Sequence, residues 1–213
     1  ADGSDSYTLA IDVRSAKSVQ LAVDKIIERE GRIDVLINNA GMGIGGAAEL
    51  ATPEEVDLQM STNFIGCTNM CRAVLPYMRS QRKGMIINIS SIAGRFAIPY
   101  QGLYSASKFA IEGYSQALAL ETKQFGVKIV CVNPGDFNTG FTKARKISQQ
   151  TIDSEDYKQS FARVLKNVEK DELGGGSPEL LARKIGKIVT KRYPRFHYVV
   201  AKDPIQTFAV YLS

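Results

Sequence analysis

Short β-branched and apolar runs alternate with longer helical patterns along the whole chain, and this alternation narrows the possible folds more than any other feature. The strand-like segments fall at 7–13, 33–38, 85–90, 128–133 and 196–200. Strands that recur singly between helices pair in parallel, with the crossover helices covering both faces of one sheet. Val35, Leu36 and Ile37, like Met85, Ile86 and Ile87, are continuously apolar, as strands covered on both faces must be. They are expected at the centre of the sheet. Thr52, Pro53 and Glu55 supply an N-cap, a first-turn proline and a capping-box acid, and Ser177 with Pro178 repeats the start signal. Gly31 and Gly126 stand where left-handed C-cap residues are wanted, after helices begun near Ser15 and Gln101. A chain of 213 residues suits a single domain around one core. The interval 136–176 is long and polar and breaks the rhythm, which marks it as a substrate loop region.

Charge and cysteine content exclude several classes. The formal charge of +5 is scattered among acids; the densest basic cluster, Lys143, Arg145 and Lys146, is small and reads as a solvated loop, so no nucleic-acid surface is expected. Cys67, Cys71 and Cys131 form no CxxC pair and have no histidine nearby in sequence, so neither a disulfide framework nor a metal site is expected. No run approaches the roughly 18 apolar residues of a spanning helix. The apolar tail 204–212 is too short for that, and no signal pattern opens the chain, so cytoplasmic residence is the expectation.

The polar exceptions gather in one place. Asp12, Asn38, Ser90 with Ser91, and Asn133 with Pro134 and Gly135 each lie at the carboxyl end of an expected parallel strand, the edge where open α/β sheets bind ligands. Tyr104 and Lys108 lie four residues apart on the expected helix 101–124 and start from the same face. A phenol titrates near about 10, and a neighbouring ammonium lowers that value toward the range of general acid-base chemistry. On the same helix Ala106, Ala110, Gly113 and Ala117 make a small-residue face that another helix, of this subunit or a second one, can approach closely.

These residues carry a resemblance. Tyr104, Ser105, Ala106, Ser107 and Lys108 are similar to the YxxxK signature of the short-chain dehydrogenase/reductase family, and Ser91 stands thirteen residues upstream, where that family has its catalytic serine. Asn38, Asn39, Ala40 and Gly41 resemble its NNAG segment, and Asn63 its helix asparagine. Asp12 and Val13 resemble its adenine-contacting pair; Pro134, Gly135 and Thr139 resemble the PGxxxT segment beside the nicotinamide. The resemblance implies an α/β fold, a three-layer Rossmann-like doubly wound parallel sheet, as one domain over 1–213. It also implies an oxidoreductase that moves hydride between NAD or NADP and an alcohol or carbonyl substrate, assembled as a homodimer or homotetramer. Ser91 and Tyr104 would grip the substrate oxygen, Tyr104 would move the proton, Lys108 would lower the phenol pKa and hold the nicotinamide ribose, and Asn63 would fix a water beside Lys108. Met42, Ile44, Phe96, Ile98, Phe137 and Phe141 flank this centre and favour an apolar carbonyl compound.

The chain also departs from that pattern. The family's TGxxxGxG turn does not precede Ala1, so the sheet is expected to lack its first βαβ unit, and the residues that choose NAD or NADP follow that unit. With Ala rather than Met at position 1, a chain shorter than its protein is expected; the alternative is a naturally short, non-catalytic dimerising or regulatory module of the same fold. Gly41, Gly43 and Gly46 spell GxGxxG, but the next helix opens only at Thr52, so they are expected to form a flexible rim above the nicotinamide pocket. Ser105 and Lys108 spell SxxK without the SDN and KTG partners of a serine acyl-transfer site. His197, in an apolar strand, is expected to be structural.

Overall fold

Met85, Ile86 and Ile87 lie at the heart of a parallel sheet in the computed structural model, which describes residues 6–212 and the side-chain surroundings of all of these except 208, 209, 211 and 212. In chain order the elements are α1 (Ala16–Glu30), β1 (Val35–Asn38), β2 (Ile44–Gly45), α2 (Pro53–Met60), a π-helical turn (Ser61–Ile65), α3 (Gly66–Ser80), β3 (Gly84–Ile89), α4 (Gly102–Thr122), β4 (Val127–Pro134), α5 (Phe141–Ala144), β5 (Lys146–Ile147), α6 (Gln149–Asp153), α7 (Lys158–Leu173), α8 (Pro178–Val189), β6 (His197–Val200) and α9 (Pro204–Leu212). The main sheet runs β1-β3-β4-β6, all parallel, with Leu36 opposite Ile86 and Ile86 opposite Ile129.

Alternation along the strands divides the interior into two cores. Leu36, Ile86 and Ile129 face one side and pack with Val19, Val23, Val74, Met78 and Leu118 from α1, α3 and α4. Met85, Ile87, Val130 and Val132 face the other and pack with Ile188 from α8 and with Tyr198 and Val200. Successive strand residues point to opposite faces, so continuous apolar runs are what a sheet covered on both sides requires. No helix among the described residues is long and apolar enough to cross a membrane.

The segment 7–13 corrects the expectation of a strand: no described strand lies beside it, and without a ladder partner its backbone stays irregular. It leads instead into the Ser15 cap of α1, with the Asp12 amide donating to Ser18 Oγ at 3.0 Å. Among the described residues β1 lies at one side of the sheet, and Ile37 is 43% exposed. The glycine rim is another correction. Ile44 and Gly45 of β2 pair with Lys146 and Ile147 of β5, and a Cβ at Gly46 would stand 2.6 Å from Ser148 Cβ. The rim is thus paired with the 136–176 region rather than standing free of it.

The caps form as the sequence indicates. Thr52 and Glu55 exchange both capping-box bonds, and Gly31 and Gly126 adopt φ of 70° and 72°. These glycines differ in surroundings: a Cβ at Gly31 meets open space, whereas one at Gly126 would stand 2.4 Å from the main-chain oxygen of Arg82. Gly31→Ala is expected to cost about 1–2 kcal/mol from left-handed strain alone, and Gly126→Ala to cost clearly more. Urea denaturation of the two variants in the intact protein checks this; equal losses would show that the 82 turn yields freely.

Candidate active site

β1, β3 and β4 end at one rim, where the segments after them and the first turns of α4 enclose a cavity of about 550 Å³. Asn39, Gly41, Ser91, Tyr104, Lys108, Pro134, Gly135 and Thr139 all line it. Asn63 stands behind this wall, turned inward by the π-helical turn. Its Nδ2 donates to the Met42 carbonyl at 2.9 Å and to Ser107 Oγ at 3.0 Å, and its Oδ1 accepts from the Met42 amide at 2.9 Å. A Cβ on Gly41 would lie 3.5 Å from Asn63 Oδ1 and 3.8 Å from Lys108 Nζ, so these three positions converge.

Other expected site residues stay outside the cavity. Asp12 is exposed, and the Arg14 guanidinium, 3.0 Å away, holds its carboxyl below the usual range. Val13 packs against Gly66, where a Cβ would come within 2.7 Å. Asn38 lies under the floor, donating to Asn88 Oδ1 at 2.8 Å, and Ala40 is exposed. Of the flanking apolar residues, Met42, Ile98, Phe137 and Phe141 line the cavity, while Ile44 and Phe96 do not.

Burial governs the electrostatics. It pushes the Tyr104 phenol up to about 12, against a hydrogen bond from Ser91 that favours the phenolate; Glu172 and Asp136 push it further up and Arg145 pulls it down. Burial likewise brings Lys108 down to about 8, against the countervailing influence of Cys67, Cys131 and Glu112. Lys108 Nζ donates to the Ile89 carbonyl at 2.8 Å and stands 5.6 Å from the centre of the Tyr104 ring. Burial therefore outweighs any lowering of the phenol pKa by Lys108, one of whose ammonium hydrogens goes to the Ile89 carbonyl. At neutral pH the pair is loaded as an acid, phenol protonated and ammonium charged.

An ion pair beside this centre escaped the sequence reading. Arg145, placed there in a solvated loop, is buried and binds the Glu172 carboxylate, whose other oxygen accepts from Thr142 Oγ1 at 2.7 Å. The guanidinium stands 5.7 Å from the Phe141 ring, whose centre is 5.4 Å from that of Tyr104. Asp136 and Asp171 also line the cavity, so its wall is less apolar than expected. One signal was available for Glu172: it follows Phe161, Leu165 and Val168 on one face of α7, a lone acid in an apolar stripe.

The family described as short chain dehydrogenase matches residues 1–150, and the chain belongs to it. It is accordingly an NAD(P)-dependent oxidoreductase. A protein of Bacteroides thetaiotaomicron named 3-ketodihydrosphingosine reductase is 61% identical over 188 residues, which cover 88% of this chain and 70% of that protein. Among solved structures, a short-chain dehydrogenase from Streptomyces avermitilis is 29% identical with a TM-score of 0.84, over 96% of this chain and 74% of that one. A metagenomic short-chain oxidoreductase in complex with NADP is 25% identical with a TM-score of 0.71, over 93% of this chain and 75% of that one.

Proposed function

We propose that this chain carries the catalytic centre of a reductase of long-chain amino ketones, with 3-ketodihydrosphingosine as the foremost substrate. The observation that carries the reaction type is the convergence of Ser91, Tyr104 and a buried Lys108 on the wall of one cavity. The 61% identity to a protein named for that ketone supports the substrate. So does the lining: Met42, Ile98, Phe137 and Phe141 suit an alkyl chain, while Asp136 and Asp171 suit a cationic amine.

The residues present fit the nicotinamide end of the dinucleotide. Gly41 leaves free the space a side chain would fill beside Lys108 Nζ, and Asn39, Pro134, Gly135 and Thr139 border the same cavity. These residues, with Lys108 toward the ribose, would hold that end; when bound, the reduced dinucleotide supplies hydride to the carbonyl carbon. Ser91 and Tyr104 donate to the carbonyl oxygen, where negative charge develops, and donors placed there beforehand lower the barrier. Tyr104 then gives up its proton to that oxygen, and Lys108 stabilises the phenolate left behind. Asn63, by gripping the Met42 main chain from both sides, keeps the rim in register with Lys108. Assembly as a homodimer or homotetramer belongs to the same proposal, since Ala106, Gly113 and Ala117 are exposed along α4 beside Phe109, which is 45% exposed.

Incubating the intact protein with a long-chain 3-keto base and reduced NADP or NAD is expected to oxidise the dinucleotide and yield the 3-hydroxy base. Turnover of simple ketones with none of the amino ketone would overturn the substrate. No dinucleotide oxidation with any carbonyl compound would overturn the reading as a whole.

A further inference from the structure

Tyr104, Lys108 and Glu112 follow one another at four-residue steps along α4, in a single row down one side of the helix. The first two face the cavity, whereas Glu112 is buried at 5% exposure where α4 crosses β4 and β6. Its Oε1 accepts from Asn133 Nδ2 at 2.6 Å and from the Cys131 thiol at 3.2 Å, and its Oε2 meets His197 Nε2 at 2.7 Å. Asn133 Nδ2 also donates to the main-chain oxygen of Ser91 at 3.0 Å. A continuous set of hydrogen bonds thus runs from the edge strand through a buried carboxylate to the main chain of the serine that lines the cavity with Tyr104.

We propose that Glu112 is a positioning residue: its carboxylate orients the Asn133 amide, which holds the Ser91 carbonyl and so fixes where the Ser91 hydroxyl stands against the phenol. The inference rests on the carbonyl reduction proposed above. Both hydrogens of Asn133 Nδ2 are committed, one to each acceptor, while its Oδ1 is buried without a partner. An amide that leaves a buried oxygen unpaired is held in that orientation by what its nitrogen binds. Without Glu112 one of those two acceptors is gone, and the amide is free to turn away from Ser91. Glu112, Cys131 and His197 present ligand atoms within 4.8 Å of one another, a spread that a metal ion could also gather. The carboxylate already has three donors, so hydrogen bonding accounts for every group in the cluster.

Charge adds a second effect. The groups facing Glu112 are Cys131 and Asn133 from β4, His197 from β6 and Lys108 on its own helix; Lys108 in turn faces Cys67 from α3 and Cys131. The Glu112 carboxylate raises the Lys108 pKa against the burial that lowers it. In the wild type kcat/KM is expected to fall as pH rises through about 8, where the Lys108 ammonium gives up its proton. Removing the Glu112 charge must bring that loss to lower pH.

The test uses Glu112→Ala, Asn133→Ala, their combination and Glu112→Gln in the intact protein, with kcat, KM, cofactor affinity and pH profile measured beside thermal denaturation. Glu112→Ala is expected to lower kcat by about tenfold to a hundredfold, the scale of a misplaced catalytic group, with cofactor affinity unchanged. The combined variant is expected to lose no more than the worse single one, since the two residues act in series. Glu112→Gln keeps an acceptor for Asn133, so most of kcat returns at mildly acid pH, yet its alkaline limb moves to lower pH. Wild-type kcat in folded Glu112→Ala, additive losses, or an unmoved alkaline limb in Glu112→Gln overturns the proposal. If Glu112→Ala does not fold, the Glu112→Gln profile decides. Full turnover in Tyr104→Phe would instead overturn the reduction itself, whatever Glu112 does.

Discussion

Tyr104→Phe in the intact protein is expected to lower carbonyl turnover by about a hundredfold to ten-thousandfold, the usual loss when a positioned general acid is removed, while the fold and cofactor affinity stay near wild type. The ring is kept, and with it the packing against Phe141 at 5.4 Å, so the change removes one oxygen from a wall that stays in place. Burial pushes that phenol up to about 12, so at neutral pH it keeps its proton and enters the reaction in its acid form. Single-turnover rates with a ketone and reduced dinucleotide separate this loss from binding. If the phenylalanine variant turns over at the wild-type rate, the proton comes from elsewhere, and the assignment of Ser91, Tyr104 and Lys108 fails with it.

That assignment was legible because its parts are close in sequence or fixed to strand ends. Tyr104 and Lys108 share a helix face by spacing alone, and Ser91, Gly41 and Pro134 reach one rim because β1, β3 and β4 are parallel. The continuous apolar strands announced a sheet covered on both faces, and β3 is buried along its whole length. The segment 7–13 failed for a reason its own residues do not contain: a β-branched run becomes a strand only beside another strand, and no described strand lies beside it. Lys108 could be placed beside Tyr104 by spacing, but its hydrogen bond to the Ile89 carbonyl could not, since it crosses from helix to sheet. Cys131 and His197 look unrelated in sequence, yet parallel pairing sets them side by side in adjacent strands, with Glu112 of α4 against both. Arg145 and Glu172 lie 27 residues apart, Arg145 between the short α5 and β5 and Glu172 near the end of α7, so no shared periodicity links them.

The pair formed by Arg145 and Glu172 sets the other large expectation. The Arg145 side chain is 2% exposed and that of Glu172 11%, so neither charge can turn to water if its partner is lost. Glu172→Leu is expected to cost about 3–5 kcal/mol of stability, because an uncompensated guanidinium is left buried. Arg145→Met together with Glu172→Leu is expected to recover that loss and to match or exceed the wild type: Arg145 Nη1 is buried without a hydrogen-bond partner, so the native pair already carries an unmet donor that apolar packing would remove. The two charges act in opposite senses on Tyr104, Glu172 raising its pKa and Arg145 lowering it. The double variant should therefore leave the phenol nearly where it was, whereas Glu172→Leu alone should lower it. Denaturation curves for the single and double variants decide the matter. A double variant as unstable as Glu172→Leu alone would mean that the fold depends on the shape of these side chains around Phe141 and Thr142 rather than on their paired charge.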